Sequence, residues 1–241
     1  MKTVLLLAGT AQARALAEAF DHPGARLLAS LAGATAAPRA YPCETRTGGF
    51  GGVEGLRAYL HRARIAALVD ATHPFAARIS ANAQSACAGQ GVPLLVLDRP
   101  PWEPVGEWHS FGTLAQAVAA LPTGARVLAT TGRKDTGAFE ARPDLAILLR
   151  SVDPPDDPPP HITPLAARGP FALEDEIALM RAHRITHLLT RNAGGESRAR
   201  LDAAAGLCLP IHMVERPPGS AAEVAHSVAD ALRWLRRVLG D

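Results

Sequence analysis

The sequence predicts an α/β protein made of two parallel-sheet domains with a cleft between them. Three features carry that prediction. Short apolar runs of strand length alternate with longer amphipathic stretches, the rhythm that puts helices on both faces of a parallel sheet. The rhythm breaks in a proline-rich stretch, Arg99 to Gly112, and then restarts. In each half the opening strand ends in small residues suited to a tight turn, Gly9-Thr10 in one and Thr131-Gly132 in the other. The division is drawn at residues 1–105, expected to bind a cofactor, and 106–241.

In order, Thr3 to Ala8 reads as a strand and Ala11 to Phe20 as a helix, followed by a strand from Arg26 to Leu31. Val53, Leu56, Tyr59 and Leu60 share one face of a helix over Val53 to Arg64. Ile65 to Ala71 is a strand, Pro74 to Gly89 a helix with proline in its first turn, and Pro93 to Leu97 a strand. In the second half the strands are Arg126 to Thr130, Leu145 to Arg150, His187 to Thr190 and Pro210 to Val214. Helices are expected over Phe171 to His183, Glu196 to Ala205 and Ala221 to Leu239. The run Asp153 to Pro160, five of its eight residues proline, must be extended and reads as a solvated surface excursion, the alternative being a cover over the cleft between the halves.

Composition excludes several classes. The 241 residues include 25 basic and 23 acidic side chains, and 48% of residues are hydrophobic, enough for ordinary cores. A net charge of +2 argues against a nucleic-acid binder driven by bulk charge. No apolar run approaches the ~20 residues that cross a bilayer, and Val4 to Ala8 is too short for a signal-peptide core. Cys43, Cys87 and Cys208 are odd in number and scattered, which suits buried free thiols in a reducing cytoplasm better than disulfides or a structural metal. His109, His161, His183, His187 and His212 show no metal-ligand spacing.

Ligands of open parallel sheets lie beyond the carboxyl ends of the strands. Those ends supply Gly9-Thr10, Ser30, Asp70 to His73, Thr131 to Lys134 and Arg191 to Gly195. Small residues leading into a helix make an anion site, so a phosphate-bearing cofactor is expected. The three-glycine dinucleotide fingerprint is absent, since Ala8 to Ala13 carries one glycine. Gly48-Gly49-Phe50-Gly51-Gly52 looks closer to it, but no strand is evident before it and a mobile loop is expected. About 20 residues after Gly9, where a carboxylate would bind the ribose of NAD, stand Ala29, Ser30 and Leu31. With no carboxylate to repel a 2′-phosphate and Arg14 one turn past the glycine, a nicotinamide cofactor would be NADP rather than NAD.

In Asp70-Ala71-Thr72-His73-Pro74-Phe75-Ala76, Thr72 or His73 could cap a helix, with Asp70 bonded to loop amides. His73 could equally face substrate as a proton carrier. Lys134 is one of only two lysines, with Lys2, and suits phosphate as a compact charge. Asn192 to Gly195 reads either as a tight turn or as a ribose or anion site.

Several strings resemble the precorrin-6A reductase family. They are Gly9-Thr10 through Arg14, Asp70 to Ser80 with Asn82, and Arg99-Pro100-Pro101-Trp102. Thr131 to Lys134, Gly169-Pro170-Phe171, Arg191 to Gly195 and Arg216-Pro217 follow in order, so the match spans nearly the whole chain. The resemblance implies two Rossmann-like domains and NADPH-dependent reduction of a double bond in the precorrin-6A macrocycle to precorrin-6B, in cobalamin biosynthesis. Carried over by position, Gly9, Thr10, Arg14, Ser30, Thr131, Gly132, Lys134, Asn192, Gly194 and Gly195 fall to the cofactor. Asp70 and Thr72 fall to the substrate, with Arg78, Arg99, Arg133 and Arg191 as cations for its carboxylates, and His73 as proton donor. A cytoplasmic tetrapyrrole enzyme with no metal, nucleic acid or membrane partner, in transient contact with other pathway enzymes, is expected. The chain departs from the family at Gln12, Arg191, Ala193 and Arg200, where glutamate, lysine, serine and lysine are usual. The alternatives are a non-catalytic two-lobed nucleotide or tetrapyrrole carrier, and a methyltransferase-like enzyme using S-adenosylmethionine. The latter would prefer an acidic residue after the second strand.

Overall fold

The computed structural model describes residues 1–33, 39–195, 198–219 and 221–240. The chain divides into two compact units, residues 1–100 with 217–241, and residues 101–216. Each is built on a six-stranded, wholly parallel sheet.

The first unit opens with β1 (Lys2–Leu7), α1 (Ala11–Ala19), β2 (Ala25–Leu31), β3 (Glu44–Thr47) and α2 (Gly52–Arg62). β4 (Ile65–Asp70), α3 (Ala77–Ala88) and β5 (Leu94–Leu97) complete its N-terminal part. β1 is apolar without alternation because helices cover both faces of the sheet. Val4, Leu6, Leu27 and Ala29 pack on one side with Ala13, Leu16 and Ala17 of α1. Leu5, Leu7, Leu28 and Leu68 pack on the other with Leu56 and Leu60 of α2 and Ala83, Ala86 and Cys87 of α3.

The second unit contains β6 (Trp108–Phe111), α4 (Leu114–Ala119), β7 (Arg126–Ala129), a 3-10 helix (Arg133–Phe139), β8 (Ala146–Ser151) and β9 (Ile162–Ala166). It continues through α5 (Leu173–Ala182), β10 (His187–Arg191), α6 (Ala199–Gly206) and β11 (Ile211–Val214). The chain then returns to the first unit with β12 (Glu223–Ala225) and α7 (Val228–Leu239). The strand orders are β12-β5-β4-β1-β2-β3 and β6-β11-β10-β7-β8-β9. In the first sheet the chain winds outward on one side of β1 and then on the other; in the second it does the same about β7, with β6 at the edge beyond β11. The reversals lie between β1 and β4, and between β7 and β10.

The structure differs from the sequence reading in several places. Residues 217–241 pack with the first unit, whereas the sequence division put them in the second. β12 pairs in parallel with β5, and Ala231, Trp234, Leu235 and Leu239 of α7 join the core beside α1. The expected helix Ala221 to Leu239 is therefore a short edge strand followed by a helix capped by Ser227, whose Oγ accepts from the Asp230 amide. β3, β6 and β9 escaped notice because they are edge or near-edge strands with polar, exposed residues. Glu44, Thr45, His109 and Thr163 supply no apolar run to read. The helix expected from Pro74 starts at Ala77, and the one expected from Glu196 is described from Ala199. Of the cysteines, only Cys87 is buried; burial pushes its thiol up to about 12, while Cys43 is half-buried and Cys208 exposed.

Two polar clusters of the second unit, one buried and one partly so, bear on its stability. Arg150 at the end of β8 makes a two-bond pair with Glu176 of α5, at 2.8 and 2.9 Å, and its guanidinium lies 4.1 Å from the centre of the Phe171 ring. These side chains are 6% and 2% exposed. Glu176→Ala leaves an unpaired buried guanidinium and is expected to destabilise the chain by about 3–5 kcal/mol, read from denaturant unfolding.

His109, His187 and His212 come together from β6, β10 and β11, with rings 5.6 Å from that of His212. Burial lowers the pKa of both His212 and His187. For His212 the Ala117 carbonyl opposes the shift and the neighbouring histidines add to it, while Glu107 opposes it at both rings. The folded rings thus refuse protons that the unfolded chain accepts below its ordinary value of 6.5. Their contribution is fully present above pH 6.5 and declines as pH falls below it. His212→Asn is expected to flatten that decline when stability is compared at about pH 7.5, 6.5 and 5.5.

Candidate functional site

At the end of β1, Gly9 takes φ +122°, a conformation that L side chains rarely adopt, and open space lies where a Cβ would stand. Its amide donates to Tyr41 Oη at 3.2 Å. Thr10 is the N-cap of α1. Its hydroxyl accepts from the Ala13 amide at 3.1 Å and donates to the Ala71 carbonyl at 2.7 Å, tying the β1 turn to the end of β4 across the reversal. Arg14 donates to the Ala40 carbonyl and lies 4.7 Å from the centre of the Tyr41 ring, so it anchors the segment beyond β2.

Ser30 at the end of β2 is buried, and its hydroxyl accepts from Arg46 at 2.6 Å. The sequence reading missed Arg46 because β3 itself was missed. The glycine-rich run after it is not the unanchored loop expected. β3 precedes it, the Gly48 amide donates to the Leu31 carbonyl at 2.9 Å, and α2 follows at once. A Cβ at Gly55 would stand 1.7 Å from the Phe50 carbonyl oxygen, so glycine there lets the run close against α2.

At the end of β4, Asp70 is 2% exposed. Its Oδ1 accepts from the Thr72 amide (3.0 Å) and the Thr72 hydroxyl (2.7 Å). Its Oδ2 is buried without a hydrogen-bond partner. The expected bond from Asp70 to a loop amide is present, but neither Thr72 nor His73 caps α3, whose N-cap is Ala76. His73 is exposed, and its Nδ1 accepts from the Phe75 amide at 3.3 Å, which places the proton of a neutral ring on Nε2. Arg78 is exposed in the first turn of α3, and Arg99 is half-buried just before the second unit begins.

The second sheet repeats the pattern at its own reversal. Gly132 takes φ +116° after buried Thr131, and Arg133 and Lys134 are exposed at the start of the 3-10 helix. Arg191 at the end of β10 donates to Asp135 at 3.0 Å. Burial raises the Asp135 pKa, opposed by the Arg191 charge and by hydrogen bonds to Thr131 and Arg191. Thr190 accepts from Thr130 (2.7 Å) and Arg200 (3.1 Å), and the Arg200 guanidinium lies 4.7 Å from the Trp102 ring centre.

Asn192 is 3% exposed, and its side chain is fully committed within the fold. Oδ1 accepts from the Trp102 amide (2.8 Å); Nδ2 donates to the Trp102 carbonyl (3.2 Å) and to Glu215 (3.0 Å). Trp102 Nε1 donates to the Gly195 carbonyl at 2.6 Å, and Arg216 donates to the Asn192 and Ala193 carbonyls at 2.8 and 2.9 Å. The sequence strings around Trp102, Asn192 and Arg216 are thus one hydrogen-bonded unit. Gly194 and Gly195 take φ +67° and +85°, so the turn presents backbone rather than side chains.

Among the described residues there is no group of three or more His, Cys, Asp or Glu arranged to hold a metal. Among the same described residues no helix is long and apolar enough to cross a membrane. The residues present fit a phosphate-bearing group. Open space stands beside the Gly9 backbone, and a helix capped by Thr10 starts after it.

Fold and strand-end geometry define a doubly wound α/β protein with a glycine turn at the reversal point of each sheet. The family model for precorrin-6x reductase CbiJ/CobK matches residues 3–236. The chain is 48% identical to a precorrin-6A reductase of Rhodococcus erythropolis over 242 residues, 98% of each chain. It is 42% identical to that of Rhodobacter capsulatus, over 98% of this chain and 96% of the relative. A solved structure of CobK precorrin-6A reductase superimposes with a TM-score of 0.93 at 42% identity, covering 99% of this chain and 97% of the other. The chain belongs to the precorrin-6x reductase family, oxidoreductases of cobalamin biosynthesis that act on a carbon–carbon double bond of a tetrapyrrole macrocycle.

The Asn192 network generates a stability prediction. Asn192→Leu strands the Trp102 amide and carbonyl in the interior and is expected to cost about 2–4 kcal/mol, from roughly 1–3 kcal/mol for each buried group left unsatisfied, measured by denaturant unfolding.

Proposed function

We propose that this chain reduces precorrin-6A to precorrin-6B with NADPH as reductant, in the cytoplasm. The observation that carries the cofactor assignment is the end of β2. A serine stands there in place of a carboxylate, with an arginine bonded to it. Three free cysteines suit the compartment. When bound, NADPH supplies a hydride, and the protein supplies binding, orientation and charge.

In the first unit, the Gly9 turn and the first turn of α1 would hold phosphate, with Thr10 fixing the helix start and Arg14 and Tyr41 bracing the segment beside it. In the second, Thr131, Gly132, Lys134 and the Gly194-Gly195 backbone form the matching set. Asn192 serves that set by shaping the turn, since its own side chain is spent on Trp102 and Glu215. Asp70 and Thr72 hold the β4 loop that presents His73, whose Nε2 carries the proton delivered to the reduced macrocycle. Arg78, Arg99 and Arg133 are cations for the substrate's carboxylates. Arg191 contributes by holding Asp135 and with it the start of the 3-10 helix.

Thermal melting with NADPH, NADH and S-adenosylmethionine tests this reading. NADPH is expected to raise the melting temperature most and S-adenosylmethionine not at all. A protein that NADPH does not stabilise would overturn the reading, and binding without turnover of precorrin-6A would make the chain a carrier. His73→Ala is expected to slow turnover by about 100-fold while leaving NADPH stabilisation intact. Unchanged turnover would remove His73 from the chemistry.

A further inference from the structure

The strand-end turns occupy one end of the second sheet, and a cavity of about 50 Å³ stands at the other. It is lined by Arg126 at the start of β7, Thr163 of β9, His183 at the C-cap of α5, and the buried Leu148 and Ile185. Six residues separate Arg126 from Gly132, so roughly 20 Å of extended chain lies between the cavity and the Gly132 turn. A buried water needs about 10–15 Å³ on this measure, so the space admits a few waters or one small oxyanion and excludes a dinucleotide or a macrocycle. No residue lining it is acidic.

Arg126 has a structural task, and that task leaves most of the group unused. Its Nε donates to the His183 carbonyl at 2.9 Å, satisfying an acceptor that the end of α5 leaves without a helical partner. In the first unit Lys2, at the start of β1, does the same for the Leu239 carbonyl at the end of α7. One donor suffices for such a cap. A guanidinium has five, and Arg126 makes no other side-chain bond or ion pair among the described residues, so Nη1 and Nη2 stay available. The His183 ring and the Thr163 hydroxyl also have no partner among the described residues. Glu174, Asp175 and Glu176 stand in the first turn of α5, at its far end. Asp144, ahead of β8, is held by Arg142 through bonds of 2.9 and 2.8 Å. Exposed Arg181 and Arg184 flank His183 in the chain and add positive charge. The carbonyl end of α5 disfavours an anion here, but Arg126 already caps the nearest carbonyl, and charge-assisted bonds to a guanidinium outweigh a screened end effect.

We infer that this cavity is an oxyanion site, separate from the strand-end turns, that takes inorganic phosphate. The Nη1–Nη2 fork of Arg126 meets two of its oxygens, and Thr163 and His183 supply donors from a second strand and from the helix end. A tetrahedral group uses all three sources, whereas a carboxylate would be spent on the fork alone. Occupancy ties β7, β9 and α5 together, so the anion stabilises the folded chain. The inference stands independently of the reductase reading.

Thermal melting of the full chain at constant ionic strength, with NADPH saturating so that the strand-end turns are filled, tests the site with sodium phosphate, acetate and chloride as titrants. Phosphate is expected to raise the melting temperature most, acetate less, and chloride not at all. Arg126→Gln is expected to weaken phosphate about 10- to 100-fold, the loss of charge-assisted bonds. Arg126→Lys keeps a capping cation, as Lys2 is in the first unit, but loses the planar fork, and is expected to weaken phosphate about 10-fold. It decides the matter if Arg126→Gln does not fold. Both variants are expected to keep the NADPH shift. A phosphate shift unchanged in folded Arg126→Lys overturns the inference, as does a wild type that phosphate stabilises no more than chloride. Acetate acting as strongly as phosphate overturns the tetrahedral assignment. A missing NADPH shift counts against the reductase reading alone, since the Arg126 variants still locate the anion.

Discussion

The bond pair between the Asn192 side chain and the Trp102 backbone organises much of the second unit. An amide that accepts from a main-chain N–H and donates to the carbonyl of the same residue does for one residue what a neighbouring strand does for several. It joins the end of β10 to the segment where the chain enters this unit. Arg216, where the chain leaves, closes on the carbonyls of Asn192 and Ala193. Entry, exit and the end of a central strand therefore meet at one buried side chain, and the Gly194-Gly195 turn hangs from it. Arg200 over the Trp102 ring adds a cation–π contact on the same group. The arginine-proline-proline strings at residues 99–101 and 216–218 mark the two crossings between units. Proline stiffens the chain there and donates no amide that would need a partner.

Around this frame the two sheets share one plan with different chemistry at their reversal points. In the first, a threonine hydroxyl ties the glycine turn to the neighbouring strand end, and a buried aspartate shapes the loop bearing His73. In the second, a half-buried ion pair between Asp135 and Arg191 does the tying, with two exposed cations at the head of the 3-10 helix. The first site is thus held mostly by neutral hydrogen bonds and the second by charge. Bulk charge near zero concealed this, since the cations that matter are few and local.

The interior strands and the helices packed on them were legible in the chain because both periodicities were clean. The unbroken apolar run of β1 and the i, i+3, i+4 spacing of Ala13, Leu16 and Ala17 admit few other readings. Edge strands were not, since a strand exposed on one side has no need of apolar residues. The missed β3 had the largest consequence, because it made the glycine-rich run look unanchored and left Arg46 out of account. The C-terminal segment illustrates a different limit. Nothing local tells residues 223–225 to pair with β5, more than a hundred positions earlier. Site residues divide the same way: Gly9, Thr10, Gly132 and His73 stood out from type and position. The committed roles of Asn192, Arg14 and Arg191 depend on partners far along the chain.

By itself the sequence determined the fold class, the family, the glycine turns at two strand ends and the want of a carboxylate after β2. Each follows from local periodicity, from a residue type only a special backbone requires, or from strings long enough to be specific. Tertiary structure alone decided which arginines are spent and which are available. Arg191, Arg150 and Arg216 are bound to Asp135, to Glu176 and to backbone carbonyls, while Arg46 is held in place with its charge unopposed. That distinction cannot be read from composition, because a guanidinium's role is set by the acceptors that surround it, and those come from other strands.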